Sequence, residues 1–506
     1  MARLLSLQKT HNQKPRSRKP GIFGLICGII AGMTPTVAVA EAPGICQSRL
    51  EPAIAQIINR PELRRSRWGI LVETLDSGSN PTLYQKESDR YFIPASNAKL
   101  LTSAAALHHL GSNFRIRTSV YGKDSTPGNL EHLRIVGRGD PSITASQLEA
   151  IAEQLHNQGI EQIGQIIADD SYFRGLPFNP NWEWEDVQAG YGAPVNSLIY
   201  NQNAIELKVW PQNQGDPLRV TWADPREGMR WRIENNAITV ASSQPEFLEV
   251  GRDFATPVIR LSGQLRAGSE PEDIYVATPH PGNFFLRHFR EALAKVGITA
   301  GRGLVTHEAT PSSAQRELAT IESPPLSELV MQVNQKSNNL YAEVLLRSLG
   351  TNPGNKAKKA LPEETIAAGL QVLEAALSEI GVDSDSYELV DGSGLSRQNL
   401  VSPEALVQTL RAFAYSPNSE IYRNSLPVGG VSGTLRWRFR DTPGEGKVRA
   451  KTGTLTGVSA LSGYVPNSEY DTLIFSIMVN QSDRRARQLR QAIDEIVLLL
   501  TQMRRC

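Results

Sequence analysis

Apolar residues recur along the chain with two different periods. Leu50, Ile54, Ile57 and Ile58 stand at helical spacing, so residues 46–60 predict an amphipathic helix. Residues 69–74 (Gly-Ile-Leu-Val-Glu-Thr) predict a strand. Asp76 to Asn80 predict a turn, and Thr82 to Gln85 a second strand. Pro94 then opens a helix that runs from Ser96 to Leu110 and stops at Gly111. Alanine and leucine surround that helix on nearly every side, the pattern of a central buried helix.

From about 116 to 311 the texture changes. Short apolar runs, such as those around Val120, Leu133, Ile135 and Ile163, are broken by turns. Residues 205–265 alternate, as in Ile205-Glu-Leu-Lys-Val-Trp210, and predict a β-rich module. Helical spacing returns at 284–296, as a helix pair at 326–349 and again at 363–380. Ala460 to Val465 and Leu473 to Val479 predict two strands joined by a Pro466-Asn467-Ser468 turn. The last helix puts Ala486, Leu489, Ile493, Ile496 and Leu500 on one face.

This order predicts an α/β fold in which the first and last segments share one antiparallel sheet flanked by helices. The domain they share is then 41–115 with 312–506. Residues 116–311 form inserted α/β and β-rich domains.

The chain has 506 residues, room for about three domains. At 40% hydrophobic and 21% charged it can bury a core, and wholesale disorder is excluded. A formal charge of +1 argues against a basic nucleic-acid binder, and three cysteines are too few for a disulfide-dense scaffold.

The charge is unevenly placed. Residues 1–40 hold Arg3, Lys9, Lys14, Arg16, Arg18 and Lys19 and no acid. The apolar run Ile22 to Met33 and the small-residue site Ala38-Val39-Ala40 follow, the three regions of a secretory signal peptide. The run is too short for the ~20 residues of a membrane span. Cleavage would leave 47 bases against 52 acids, and a protein with no integral membrane segment, periplasmic or extracellular. It would also remove Cys27 and leave Cys46 and Cys506 at the two chain ends. An oxidising compartment permits these to bond if both terminal helices cover the same sheet.

Three short motifs occur in order: Ser96-Asn97-Ala98-Lys99, Ser337-Asn338-Asn339 and Lys451-Thr452-Gly453. Ser96 and Lys99, three apart at a helix start, share one face. That helix end offers positive potential to a developing oxyanion. A neutral lysine amine can take the proton of a serine, provided that burial or a second cation lowers its pKa. Lys451 can be that cation, or pair with a substrate carboxylate beside the Thr452 and Thr454 hydroxyls. Ser337 would relay a proton to a leaving amine, and Asn339 would hold a substrate amide. Each motif alone is cheap: Ser6-Leu-Gln-Lys9 and Ser416-Pro-Asn418 match as well. The ordered trio in its predicted context is what carries the reading.

The trio resembles the signature of the penicillin-recognising serine enzymes. The wider text is similar to the D-Ala-D-Ala carboxypeptidase/endopeptidase family S13, the penicillin-binding protein 4 type. The similar stretches are Pro94 to Thr102, Gly139-Asp-Pro141, Asp169-Asp-Ser-Tyr-Phe173, Ala193-Pro194, Asn201-Gln-Asn203, Asp391-Gly-Ser-Gly-Leu395 and Ala450-Lys-Thr-Gly-Thr454. The resemblance implies that Ser96 is acylated, with Lys99 as base, Ser337 and Asn339 in the second motif, and Lys451, Thr452, Gly453 and Thr454 as the substrate strand. Backbone N–H groups of Ser96 and Thr454 would form the oxyanion hole. It implies a peptidoglycan peptide substrate, β-lactams as covalent inhibitors, and no cofactor or metal. The 241 residues between Ser96 and Ser337 fit the inserted domains of such a family.

A β-lactamase and a non-catalytic wall-binding protein on the same fold are the alternatives. Against the first, the chain has no Glu-x-x-Leu-Asn segment, the site of a class A deacylating glutamate, between 340 and 450, and the intact Ser96–Lys99 pair argues against the second. Trp182 and Trp184 read as packing residues or a sugar-stacking platform. His108-His109, adjacent on a helix, point apart. Gly429 to Gly433 reads as a bend near the site.

Overall fold

The computed structural model describes residues 44–75, 81–308, 316–352 and 363–506. The predicted signal segment and the Asp76–Asn80 turn lie outside them. Five antiparallel strands form the central sheet, in the order Arg449–Leu455, Val458–Asn467, Asp471–Asn480, Arg67–Thr74, Thr82–Lys86. Val458–Asn467 is buried at every position but one, since helices cover both faces of the sheet.

On one face lie Gln47–Ile58 and Ala486–Thr501, which pack Leu50, Ile54, Ile493, Ile496 and Leu500 against Ile70, Val72 and Phe475. Next to these helices Ile45–Cys46 pairs in parallel with Met503–Arg504. A disulfide joins Cys46 to Cys506, with Cα atoms 5.5 Å apart. On the other face Ala98–Leu110 is surrounded by Leu326–Gln335, Asn339–Thr351, Thr365–Glu379 and Pro403–Ala414. Ala98 to Leu107 are all buried, which explains the absence of a polar face in the sequence. A cavity made there by Leu101→Ala would cost about 2–5 kcal/mol.

The insert has two parts. A five-stranded sheet, in the order Thr299–Thr306, Gln162–Asp169, Asn129–Val136, Arg117–Thr126, Arg316–Glu322, packs against helices Ala145–His156 and Pro281–Lys295. Two three-stranded sheets make the β-rich part. Its strand Ala204–Trp210 pairs with Glu272–Ala277, so it extends past the expected end at 265. The boundary expected at 311 also falls short. Arg316–Glu322 pairs with Arg117–Thr126 and closes the insert's larger sheet. Its polar start, Arg316-Glu317, hides an edge strand whose inner residues Leu318 and Ala319 are buried. The expected turn at Pro466 starts later, because the strand continues to Asn467. Pro466 is tolerated there since the neighbouring strand Arg449–Leu455 ends its pairing at Tyr464, and no ladder bond is lost on that side.

Candidate active site

The three motifs meet where the edge strand Arg449–Leu455 passes the N-terminus of helix Ala98–Leu110 and the start of helix Asn339–Thr351. Ser96 lies in a single 3₁₀ turn, Ala95–Asn97, just before the long helix rather than inside it. Ala95 has φ of +47°, an uncommon conformation for alanine. Two glycines let the surroundings close on this turn. A Cβ on Gly394 would stand 1.9 Å from Ala95 O, and one on Gly453 would stand 2.5 Å from Pro94 O. Gly453 therefore lets the edge strand pass close to the Pro94 and Ala95 backbone that precedes Ser96.

Lys99 is fully buried. Its Nζ donates to Ser96 Oγ at 2.9 Å, to Asn339 Oδ1 at 2.6 Å and to Ser393 O at 2.6 Å. Burial lowers its pKa to about 7, against the pull of Asp391 and Glu343, which favour the charged form. When the amine is neutral, its lone pair can receive the Ser96 proton along the 2.9 Å contact.

Lys451 is also fully buried, and its Nζ donates to Ser337 Oγ at 2.8 Å and to Thr452 O at 2.9 Å. Burial, and then the charge of Lys99, hold its pKa well below the usual lysine value. Ser337 adopts a left-handed conformation with φ of +56°. Asn338, the middle residue of the motif, caps the following helix by accepting from Tyr341 N, and donates to Gln202 Oε1 at 2.6 Å. It thus ties the motif to the insert. Asn339 Nδ2 donates to Tyr191 O at 2.9 Å, so both ends of its amide are engaged and its present contribution is to fix Lys99. Thr452 Oγ1 meets Thr434 Oγ1 at 2.7 Å, and Thr454 is exposed on the edge strand.

Glu343 and Arg347 shape the site without belonging to any of the three motifs. Glu343 accepts from the backbone N–H groups of Gly392 and Ser393, and burial raises its pKa to about 8. Burial lowers that of Arg347 to about 10. Asn339, Glu343 and Arg347 follow one another at intervals of four in a mostly apolar helix, a signal the sequence does contain. Asp391 organises the loop that supplies Ser393 O. Its carboxylate accepts from the N–H groups of Ser393, Gly394 and Ser396, from Asn399 Nδ2 and from Trp182 Nε1. Trp182 is accordingly buried, whereas Trp184 is exposed. His108 faces Glu379 while His109 bonds Asn352 O, so the two rings do point apart. The Gly429–Gly433 bend delivers Thr434 to the site.

A family model described as the D-Ala-D-Ala carboxypeptidase 3 (S13) family matches residues 50–502. A D-alanyl-D-alanine carboxypeptidase from Actinomadura sp. (strain R39) is 35% identical over 460 residues, covering 88% of this chain and 83% of its own length. A penicillin-sensitive carboxypeptidase A from Dictyostelium discoideum is 29% identical over 470 residues, covering 86% of this chain and 87% of its own. Penicillin binding protein 4 (dacB) from Haemophilus influenzae has the same fold. Its crystal structure superposes with a TM-score of 0.74 at 24% identity, over 88% of this chain and 99% of that one.

Proposed function

The chain belongs to the S13 family of D-Ala-D-Ala carboxypeptidases, and on that premise we propose how its own residues cleave the terminal D-Ala–D-Ala bond of peptidoglycan stem peptides. The observation that carries the assignment is the fully buried Lys99 amine 2.9 Å from Ser96 Oγ.

Neutral Lys99 takes the Ser96 proton as Oγ attacks the carbonyl of the penultimate D-Ala. The oxyanion is held by the N–H groups of Ser96 and Thr454. The terminal carboxylate lies against Lys451 and Thr452. Ser337, hydrogen-bonded to Lys451, passes its proton to the leaving D-Ala amine and takes the former Ser96 proton from Lys99 in return, which leaves Lys99 neutral again. Water, deprotonated by Lys99, then hydrolyses the Ser96 ester. Asn339 positions Lys99 throughout, and holds a substrate amide only by exchanging its bond to Tyr191 O. A β-lactam opens on Ser96 by the same first step, but its leaving amine stays tethered and blocks the water.

The work is extracytoplasmic in this reading. The basic, acid-free residues 1–40 act as an export signal, and the Cys46–Cys506 bond suits an oxidising compartment. No helix among the described residues is long and apolar enough to cross a membrane.

A fluorescent penicillin should label the wild type covalently, and Ser96→Ala should remove both the label and the release of D-Ala from a pentapeptide. A Ser96→Ala protein that still took up label would place the ester elsewhere and sink the assignment.

A further inference from the structure

The insert carries an exposed aromatic pair next to Glu183, which pairs with Arg397. Trp184 is 65% exposed and Phe254 41% exposed, with ring centroids 3.9 Å apart. The Arg252 guanidinium lies 4.9 Å from the Phe254 ring. One face of Trp184 is therefore backed, while the indole as a whole remains largely open.

A chain of contacts ties this pair to the catalytic strand. Glu183 pairs with Arg397 at 3.2 Å, and Arg397 donates to Thr456 O at 2.6 Å. On the other side of Glu183, Trp182 holds the Asp391 loop beneath Lys99.

The strand Arg449–Leu455 gives this surface a direction. The C-terminal carboxylate of the substrate is assigned to Lys451 and Thr452, and the scissile carbonyl to Thr454. An extended peptide lying antiparallel on that edge must then run its N-terminal part past Leu455 and Thr456, toward Arg397, Glu183 and Trp184. In a wall substrate that part ends on an amino sugar. Only four stem residues separate the sugar from the bond cut, roughly 14 Å of extended chain.

We propose that Trp184, backed by Phe254, is a carbohydrate platform that receives the glycan end of the substrate. The proposal rests on the reading of Ser96 as the nucleophile for stem peptides. The C–H face of an N-acetylated amino sugar packs on the open indole face, as partly positive edges pack on a π-face. Glu183 and Arg397 stand beside it as hydrogen-bonding groups for hydroxyls. The free stem peptide lacks this contact and uses the catalytic groups alone.

The test compares two substrates, a free pentapeptide and the same pentapeptide carried on a disaccharide, with wild type, Trp184→Ala and Trp184→Tyr. Wild type should show a KM for the sugar-bearing substrate about three- to tenfold below that for the free peptide, at equal kcat. Trp184→Ala should abolish that ratio by raising KM for the sugar-bearing substrate alone. Trp184→Tyr should restore most of it, and the rate of penicillin acylation should be the same in all three. A ratio that survives Trp184→Ala overturns the platform. So does a loss that falls equally on both substrates, which would mark Trp184 as structural. A wild type that turns over both substrates with one KM overturns it as well. A wild type that turns over neither refutes the underlying carboxypeptidase reading instead, and the platform falls with it.

Discussion

The depressed pKa of Lys99 makes a quantitative demand on the pH dependence of acylation. Burial moves this amine from 10.5 to about 7. At pH 7 about half of the molecules then hold a neutral base beside Ser96. An unshifted lysine would supply roughly one in 3,000, so burial raises the available base by roughly 1,500-fold. The same ratio is a cost to the fold. The unfolded chain binds the proton between about pH 7 and 10.5 while the folded chain does not, so stability rises with pH through that window. At pH 7 the buried amine costs about 4 kcal/mol of stability relative to pH above 10.5.

The assay is the second-order rate constant for acylation by a fluorescent penicillin between pH 5.5 and 9. It should climb tenfold per unit at the acid end, reach half its maximum near 7 and level off above 8. Glu343→Gln keeps an acceptor for the Gly392 and Ser393 N–H groups but removes a carboxylate that favours charged Lys99. The half-maximum should move to lower pH. The step should be a fraction of a unit, because burial already raises the Glu343 pKa to about 8 and leaves only about a tenth of it ionised at pH 7. A flat profile, a half-maximum near 10, or an upward shift in Glu343→Gln would refute the assignment of Lys99 as the base.

Three further outcomes follow from the geometry. Lys451→Ala should cut kcat/KM by about 10²–10³ for a peptide ending in a free carboxylate. It should cost much less for the same peptide ending in an amide; equal losses would remove Lys451 from the carboxylate site. Gly394→Ala sets a Cβ 1.9 Å from Ala95 O at a φ of +76°, so it should lower Tm and slow acylation at least tenfold. Unchanged values would show that the turn can yield. Reducing the Cys46–Cys506 bond, whose partners are 460 residues apart, should lower the urea midpoint. Loop closure sets a ceiling of about 6 kcal/mol on the loss, and about 2–5 is the usual range. Identical midpoints with and without reductant would assign the bond no role in stability.

Local patterns reported the helices well, because each is defined by the stripe it buries. Ala98–Leu110 could be recognised as central from its composition alone, and the terminal helices from their apolar faces. The strand that carries Lys451 was harder. Lys451, Thr452, Gly453 and Thr454 show no apolar alternation, and their strand exists because Val458–Asn467 offers a ladder. The bed of Lys99 is likewise a product of assembly. Ser393 O is presented by a loop folded around Asp391, 292 positions downstream, and no spacing rule connects the two. The left-handed Ala95 and Ser337 carry no signal in their residue type. The strand Arg316–Glu322 is hidden for the same reason, since an edge strand beginning Arg316-Glu317 declares itself only through its partner.

The order of the central sheet also sets a clock. Arg67–Thr74 pairs with Asp471–Asn480, about four hundred positions later in the sequence. At ordinary translation speeds of 5–20 residues per second, its partner appears roughly 20–80 s after it does. Through that interval the apolar run Ile70-Leu71-Val72 has no strand on its Asp471–Asn480 side, while the insert, whose strands all lie between 117 and 322, can already fold. Ser96 is made early, and Thr454, the proposed second oxyanion donor, late. On the proposed roles, a nascent chain carries the nucleophile without the machinery to use it, and hydrolytic power arrives in one step with the closing strands.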